Sequence, residues 1–359
     1  MSDDATGVQR EFDFLGARVL IVSPLPPAQD GIARYSQQLM NELDDRRFVR
    51  LALPGGEGEA VRVLWGGARP LWILRHALGV DDVLVMYHPD YYIQGSVFSQ
   101  LAGYAALWLV SRLRRTTFVI HEPDHERAIE LGRRGRVEFW LLERARRIHW
   151  RSVAGAVFHT EWERQQFSER FPGGRRRADH LVTHGSFFTP LVDVSPGEAR
   201  RRLGLAGGRV LLLCIGFLSP EKPDKGYERA ITAVGALGRE DVELHVVGAP
   251  IARPVPEVER YVSNLRRLVD ATPNVSLHER FVSDEEFDLW IRAADAVVVP
   301  YRAARSSGVV ARTHLLRTRL IASGAGGIAD QLRDGDVQFS TDEQLVEAMR
   351  RVADDASAA

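Results

Sequence analysis

The chain has 359 residues, 45% hydrophobic and 26% charged, with a formal net charge of −1. That length is about twice one ordinary core, so two domains are expected. The near-neutral charge excludes the broad basic field of a nucleic-acid binder, and a single cysteine, Cys214, excludes an internal disulfide framework.

The opening stretch MSDDATGVQREFDF lacks the basic and apolar regions of a signal peptide. ARVLIVS (17–23) reads as the first strand. PPAQDGIARY (26–35) follows it directly: Asp30 is placed to cap a helix starting at Gly31. A glycine at that point lets a ligand approach the backbone, and helix-start amides suit a phosphate. A plain capped turn fits this stretch equally well. LPGGEGEA (53–60) is glycine-rich without a phosphate-loop signature.

DVLVMYH, TTFVIH, AGAVFH and HLVTHG read as further strands ending near 88, 121, 159 and 185. The segment LAGYAALWLV is far short of the roughly 20 apolar residues that span a bilayer, so a cytoplasmic location is expected. HEPDH (121–125) matches a zinc-protease pattern only in letters. His121 ends a strand and Pro123 disfavours the helix that pattern needs, so no metal is expected. Residues 112–177 concentrate arginine, and VEFWLLERARRIHW mixes it with Trp140 and Trp150 at helical spacing. This is either an arginine-faced packed helix or an interfacial one giving peripheral membrane contact. An anionic acceptor or a protein partner is equally allowed.

Around TPLVDVSPGEARRRLGLAGG (189–208) proline, glycine and charge replace the periodic pattern. The expected division is therefore 1–190, 191–340, and a C-terminal helix with a frayed tail over 341–359. The second set opens with RVLLLCIG (209–216), where Cys214 reads as an inert buried thiol. GYERAITAVGAL, VPEVERYVSNLRRLVD and SDEEFDLWIRAAD read as helices between the strands VELHVVG, NVSLHE and AVVVP. Strands alternating with helices predict parallel, doubly wound sheets, whose ligands sit beyond the carboxyl ends of the strands.

That rule selects three loops. SPEKPDKG (219–226) holds the chain's two lysines, Lys222 and Lys225, just after the first strand of the second set. Lys225 beside a helix start suits a diphosphate. YRAARSSGVV (301–310) offers amides at Ser307, Gly308 and Val309, with Arg302 and Arg305 as forked donors. The third loop is that around Gly31. Together they imply a binder of a nucleotide diphosphate, or of a sugar carrying one. SGAGGIAD (323–330) follows RLIAS and adds further amides, DGD (334–336) reads as a turn, and Thr341 is placed to cap the last helix.

PPAQDGIARY, GFLSPEKPDKGYERAITAV and ERFVSDEEFDLWIRAADAVVVPYRAARSSGVV, in this order and spacing, resemble the retaining GT-B glycosyltransferases of family 4. The likeness covers nearly the whole chain. It implies two Rossmann-like domains facing a central cleft, and sugar transfer from a nucleotide-diphosphate donor with retention, without cofactor or obligatory metal. The implied partners are a nucleotide sugar and a sugar, lipid-linked or small-molecule acceptor, with no nucleic acid. The implied roles put Lys225, Gly31, Ser307, Gly308, Val309 and Arg302 on the diphosphate, and His121 on the sugar. Gly248, Arg280, Phe281 and Arg312 would lie at the nucleotide. Family members carry two glutamates eight positions apart; here Arg312 stands at the second and the first falls near Ala304. Arg317 and Arg319 replace a glycine and a proline, and Phe217 stands where many members have arginine. These departures leave two alternatives: a catalytically impaired homologue that partners another enzyme, or an enzyme coupling a nucleotide-activated cyclitol.

Overall fold

The computed structural model describes residues 4–53, 59–60, 71–123, 133–172, 177–205, 207–220, 224–250 and 256–358. The chain forms two compact units, Met1–Phe187 and Phe188–Ala359.

The first unit is built on a parallel sheet of β1 (Val19–Ser23), β2 (Phe48–Ala52), β3 (Glu59–Ala60), β4 (Asp82–Tyr87), β5 (Thr116–Ile120), β6 (Gly155–Phe158) and β7 (Ala178–Leu181). Their order is β3-β2-β1-β4-β5-β6-β7. Every residue of β1, β4, β5 and β6 is buried, because helices cover both faces; this is why these strands read as unbroken apolar runs. The segment LAGYAALWLV lies in the helix Val97–Leu113, which packs on the helix Arg133–Ser152. Among the described residues no helix is long and apolar enough to cross a membrane.

The second unit repeats the plan with β8 (Val210–Ile215), β9 (Val242–Gly248), β10 (Val275–Glu279), β11 (Ala296–Val299), β12 (Arg319–Ala322) and β13 (Val337–Gln338). The order β10-β9-β8-β11-β12-β13 reverses direction between β8 and β11. Such a switch point opens a crevice at the strand ends. Register is continuous from Val210 opposite Val242 to Ile215 opposite Val247.

One expectation is corrected here. The last helix, Asp342–Ala358, runs through the segment expected to fray. Gln344 N donates to Thr341 Oγ1 at 3.3 Å, so the expected cap forms. Ala353 is fully buried and Ala356 packs on the same core, so this tail has an apolar face to hold it.

Candidate functional site

In the second unit the site is shaped by close backbone approach. A Cβ on Gly248, at the end of β9, would lie 1.9 Å from Gly216 O, just after β8. Gly248 is thus required by packing. Gly226 has φ 56° and starts the helix Tyr227–Leu237, and a Cβ there would lie 2.3 Å from Pro300 O. These contacts hold Lys225 against the loop after β11. Its Nζ donates to Tyr301 Oη at 3.1 Å and sits 4.8 Å from the Tyr301 ring centroid. Asp224 pairs with Ala303 across the same loop. Lys225 is half-buried at the carboxyl end of the sheet, and among the described residues its hydrogen-bond partner is the Tyr301 phenol. Lys222 lies outside the described residues.

The arginines behave differently from expectation. Arg302 pairs with Glu228 and lies 3.6 Å from Asp224, so its guanidinium is engaged by carboxylates. Arg280 forms a two-point pair with Glu286, one bond at 2.8 Å. Glu286 Oε1 also accepts from Trp290 Nε1 at 3.2 Å. Phe281 stays partly exposed, its ring 6.4 Å from that of Phe217. Arg312 is corrected outright. It is 2% exposed and Asp288 is 0% exposed; Arg312 Nε donates to Asp288 Oδ1 at 2.6 Å, and a second bond joins the same groups. A guanidinium so enclosed holds the fold and does not reach a nucleotide.

At the loop 301–310, Ser307 N donates to Gln331 Oε1 at 2.6 Å, so that amide is taken. Gly308 and Val309 open the helix Gly308–Leu315, and first-turn amides have no acceptor within their own helix. The Ser307 amide is therefore engaged by Gln331, while those of Gly308 and Val309 lie in the first helical turn. Glycines of SGAGG adopt left-handed backbone (Gly324 φ 63°, Gly326 φ 56°) and back this loop through Gly327 N to Ala304 O at 3.2 Å. DGD is a turn, with Gly335 at φ 96°. Cys214 is buried, and burial pushes its thiol up, out of the nucleophilic range.

In the first unit the cap at Asp30 forms: Ile32 N donates to its Oδ1 at 2.7 Å, and Tyr91 Oη donates to its Oδ2 at 2.5 Å. A Cβ on Gly31 would meet nothing within 4 Å, so packing does not demand the glycine and the helix start is open. His121 directly follows β5, and Glu122 and Pro123 continue as loop, not helix; His125 lies outside the described residues.

His121 is not alone. His88 follows β4, His159 follows β6 and His184 follows β7, giving one histidine after each of four neighbouring strands. His121 and His159 have ring centroids 5.9 Å apart, and His159 and His184 4.5 Å. Tyr35 meets all three rings of this trio at 5.1–5.8 Å. Burial, then the neighbouring imidazoles, hold His121 and His184 well below the usual histidine range. Sequence reasoning singled out His121 only. The signal for the rest was visible, since three of the strand readings end in histidine and the fourth nearly does.

Residues 209–355 match the family described as glycosyl transferases group 1. The chain is 32% identical over 204 residues to a D-inositol 3-phosphate glycosyltransferase of Thermomonospora curvata, a match covering 51% of this chain and 45% of that one. A protein of the same name from Geodermatophilus obscurus is 33% identical over 191 residues, covering 50% and 40%. The chain thus spans about half the length, or less, of the curated relatives it matches. Among solved structures, sucrose-phosphate synthase from Thermosynechococcus elongatus superposes with TM-score 0.70 at 15% identity, covering 95% of this chain and 91% of that one. Anabaena Alr3699/HepE in complex with UDP-glucose superposes with TM-score 0.68 at 14% identity, covering 95% and 90%. The chain has the GT-B fold, and its residues 209–355 are similar to the glycosyl transferases group 1 family.

Proposed function

We propose that the protein is a glycosyltransferase that takes a sugar from a nucleoside-diphosphate donor and transfers it with retention of configuration. The observation carrying this reading is Lys225, a half-buried cation held by Tyr301 at the carboxyl end of the second sheet, close to its switch point. The leaving diphosphate gains charge as the glycosidic bond breaks. A fixed cation, with the Gly308 and Val309 amides at a helix start, stabilises that charge without a metal. UDP-glucose in the Anabaena neighbour and UDP-2-fluoro glucose in the neighbour described as trehalose-6-phosphate from E. coli support a nucleotide-sugar donor. The curated relatives, named for an inositol-phosphate acceptor, supply a starting point for acceptors. A cytoplasmic, membrane-peripheral enzyme fits the arginine-rich helices of the first unit.

The test is calorimetric titration with UDP, GDP, ADP and dTDP, followed by product analysis with the matching sugars. At least one nucleotide should bind without added metal, and Lys225→Ala should weaken it about tenfold or more, the scale of one lost charge-assisted contact. Absence of binding by all four, or an undiminished affinity in Lys225→Ala, overturns the reading.

A further inference from the structure

The loops after β8 and β11 divide their charges unequally. Arg302 N donates to Asp224 O at 2.9 Å and Asp224 pairs with Ala303, so the two loops lie side by side. Their carboxylates are drawn to Arg302. Glu228 pairs with its guanidinium, and Asp224 Oδ1 lies 3.6 Å from Arg302 Nη1 while accepting from Gly226 N at 3.1 Å. Arg302 thus absorbs this negative charge and spares Lys225.

Lys225 is seated by a neutral group. Its Nζ donates to Tyr301 Oη and stands over the same ring. A phenol accepts a hydrogen bond without bringing a negative charge, and the ring face adds a cation–π attraction. A carboxylate in that place would also hold the ammonium, but would cancel the charge a diphosphate needs. Tyr301 is itself fixed: it is 2% exposed, lies in the core of its unit, and its carbonyl accepts from Ser323 Oγ at 2.6 Å. Gly216, at φ 132°, makes room for the ammonium. A Cβ there would lie 3.0 Å from Lys225 Nζ, so the charge rests against the backbone just past β8. The same Cβ would lie 3.2 Å from the hydroxyl of Tyr227, a second buried phenol. Among the described residues that hydroxyl has no hydrogen-bond partner.

We propose that Tyr301 is the positioning residue of the diphosphate lysine: it seats the Lys225 ammonium at the end of β8 before the ligand arrives and leaves its charge intact. The assignment rests on the donor reading above. A lysine side chain is long and flexible, and ordering it in advance lowers the cost of binding. Tyr301 acts through Lys225 and need not touch the ligand.

The test is a double-mutant cycle on the full chain at pH 7.5 without added metal. Its readout is calorimetric titration with whichever of UDP, GDP, ADP and dTDP binds the parent most tightly. Tyr301→Phe keeps the ring and removes the hydroxyl; it should weaken binding about fivefold, the scale of one charge-assisted hydrogen bond. In the Lys225→Ala background the same change should have no further effect, since the group it positions is gone. Tyr227→Phe, which removes the unpartnered hydroxyl beside the same ammonium, should bind like the parent. The proposal is overturned if Tyr301→Phe binds like the parent, if it weakens binding equally with and without Lys225, or if Tyr227→Phe weakens binding as much. Absence of binding by all four nucleotides, or undiminished affinity in Lys225→Ala, overturns the donor reading and this proposal together. A weakened Lys225→Ala beside an unaffected Tyr301→Phe overturns this proposal alone.

Discussion

Arg312 shows how a residue's position can be legible while its role is not. The resemblance placed it at the nucleotide, where a carboxylate is usual. The structure gives it Asp288, with Asp288 Oδ2 also accepting from Leu191 N at 2.9 Å and Arg312 Nη2 donating to Thr189 O at 3.3 Å. The Arg312 guanidinium also lies 5.7 Å from the Phe188 ring centroid. The pair thus ties two helices to the first residues of its unit. Breaking a buried pair strands a charge, at a cost of about 3–5 kcal/mol, whereas apolar replacement of both partners is often neutral. Arg312→Met and Asp288→Asn should each lower the unfolding free energy of the second unit by that amount, and the double change Arg312→Met/Asp288→Leu should recover most of it. Urea denaturation measures this, and single variants within 1 kcal/mol of the parent would contradict it. Arg317 adds a smaller lesson: it holds φ 54°, a left-handed conformation that explains why glycine is usual there.

At the scale of elements, the buried strands were readable because parallel sheets covered on both faces turn into apolar runs. β3 and β13 were missed because EA and VQ are too short to show a period, and β2 because Arg50 interrupts the apolar run FVRLA. The helix Arg133–Ser152 was readable as a helix, but its outward face was not. That face shows Val137, Trp140, Leu141 and Ile148 exposed beside exposed Arg144 and Arg151, with the Arg144 guanidinium 5.7 Å from the Trp140 ring. Aromatic and aliphatic side chains interleaved with arginine suit the interface of an anionic bilayer. Vesicle flotation should bring the protein up with anionic phospholipid at low salt and not with neutral lipid. The pair Trp140→Asp/Arg144→Glu should abolish flotation. Protein that stays down with anionic vesicles would assign this surface to something other than a membrane.

Across the whole molecule, buried histidines set the response to acid. Burial lowers His149 to about 3, and burial with His245 beside it lowers His278 to about 4. In the unfolded chain these groups titrate near 6.5. Between those values the unfolded state binds more protons, so stability is full above about pH 6.5 and falls as pH drops toward 4. The slope is at most about 1.4 kcal/mol per pH unit for each such proton. Denaturation series at pH 7.5, 6.0 and 5.0 should show a flat upper range and a steepening loss below it; equal stability at all three would contradict the assignment. Two doubly wound units, the capped helix at Gly31 and the lysine loop after β8 follow from local pattern, because periodicity, turn chemistry and strand-to-helix order are written in neighbouring residues. Which groups face one another is decided by packing between distant segments. Only the folded chain pairs Arg312 with Asp288, closes Ser307 with Gln331, sets Lys225 on Tyr301 and lines up four histidines, since strands far apart in sequence become neighbours only when the sheet forms.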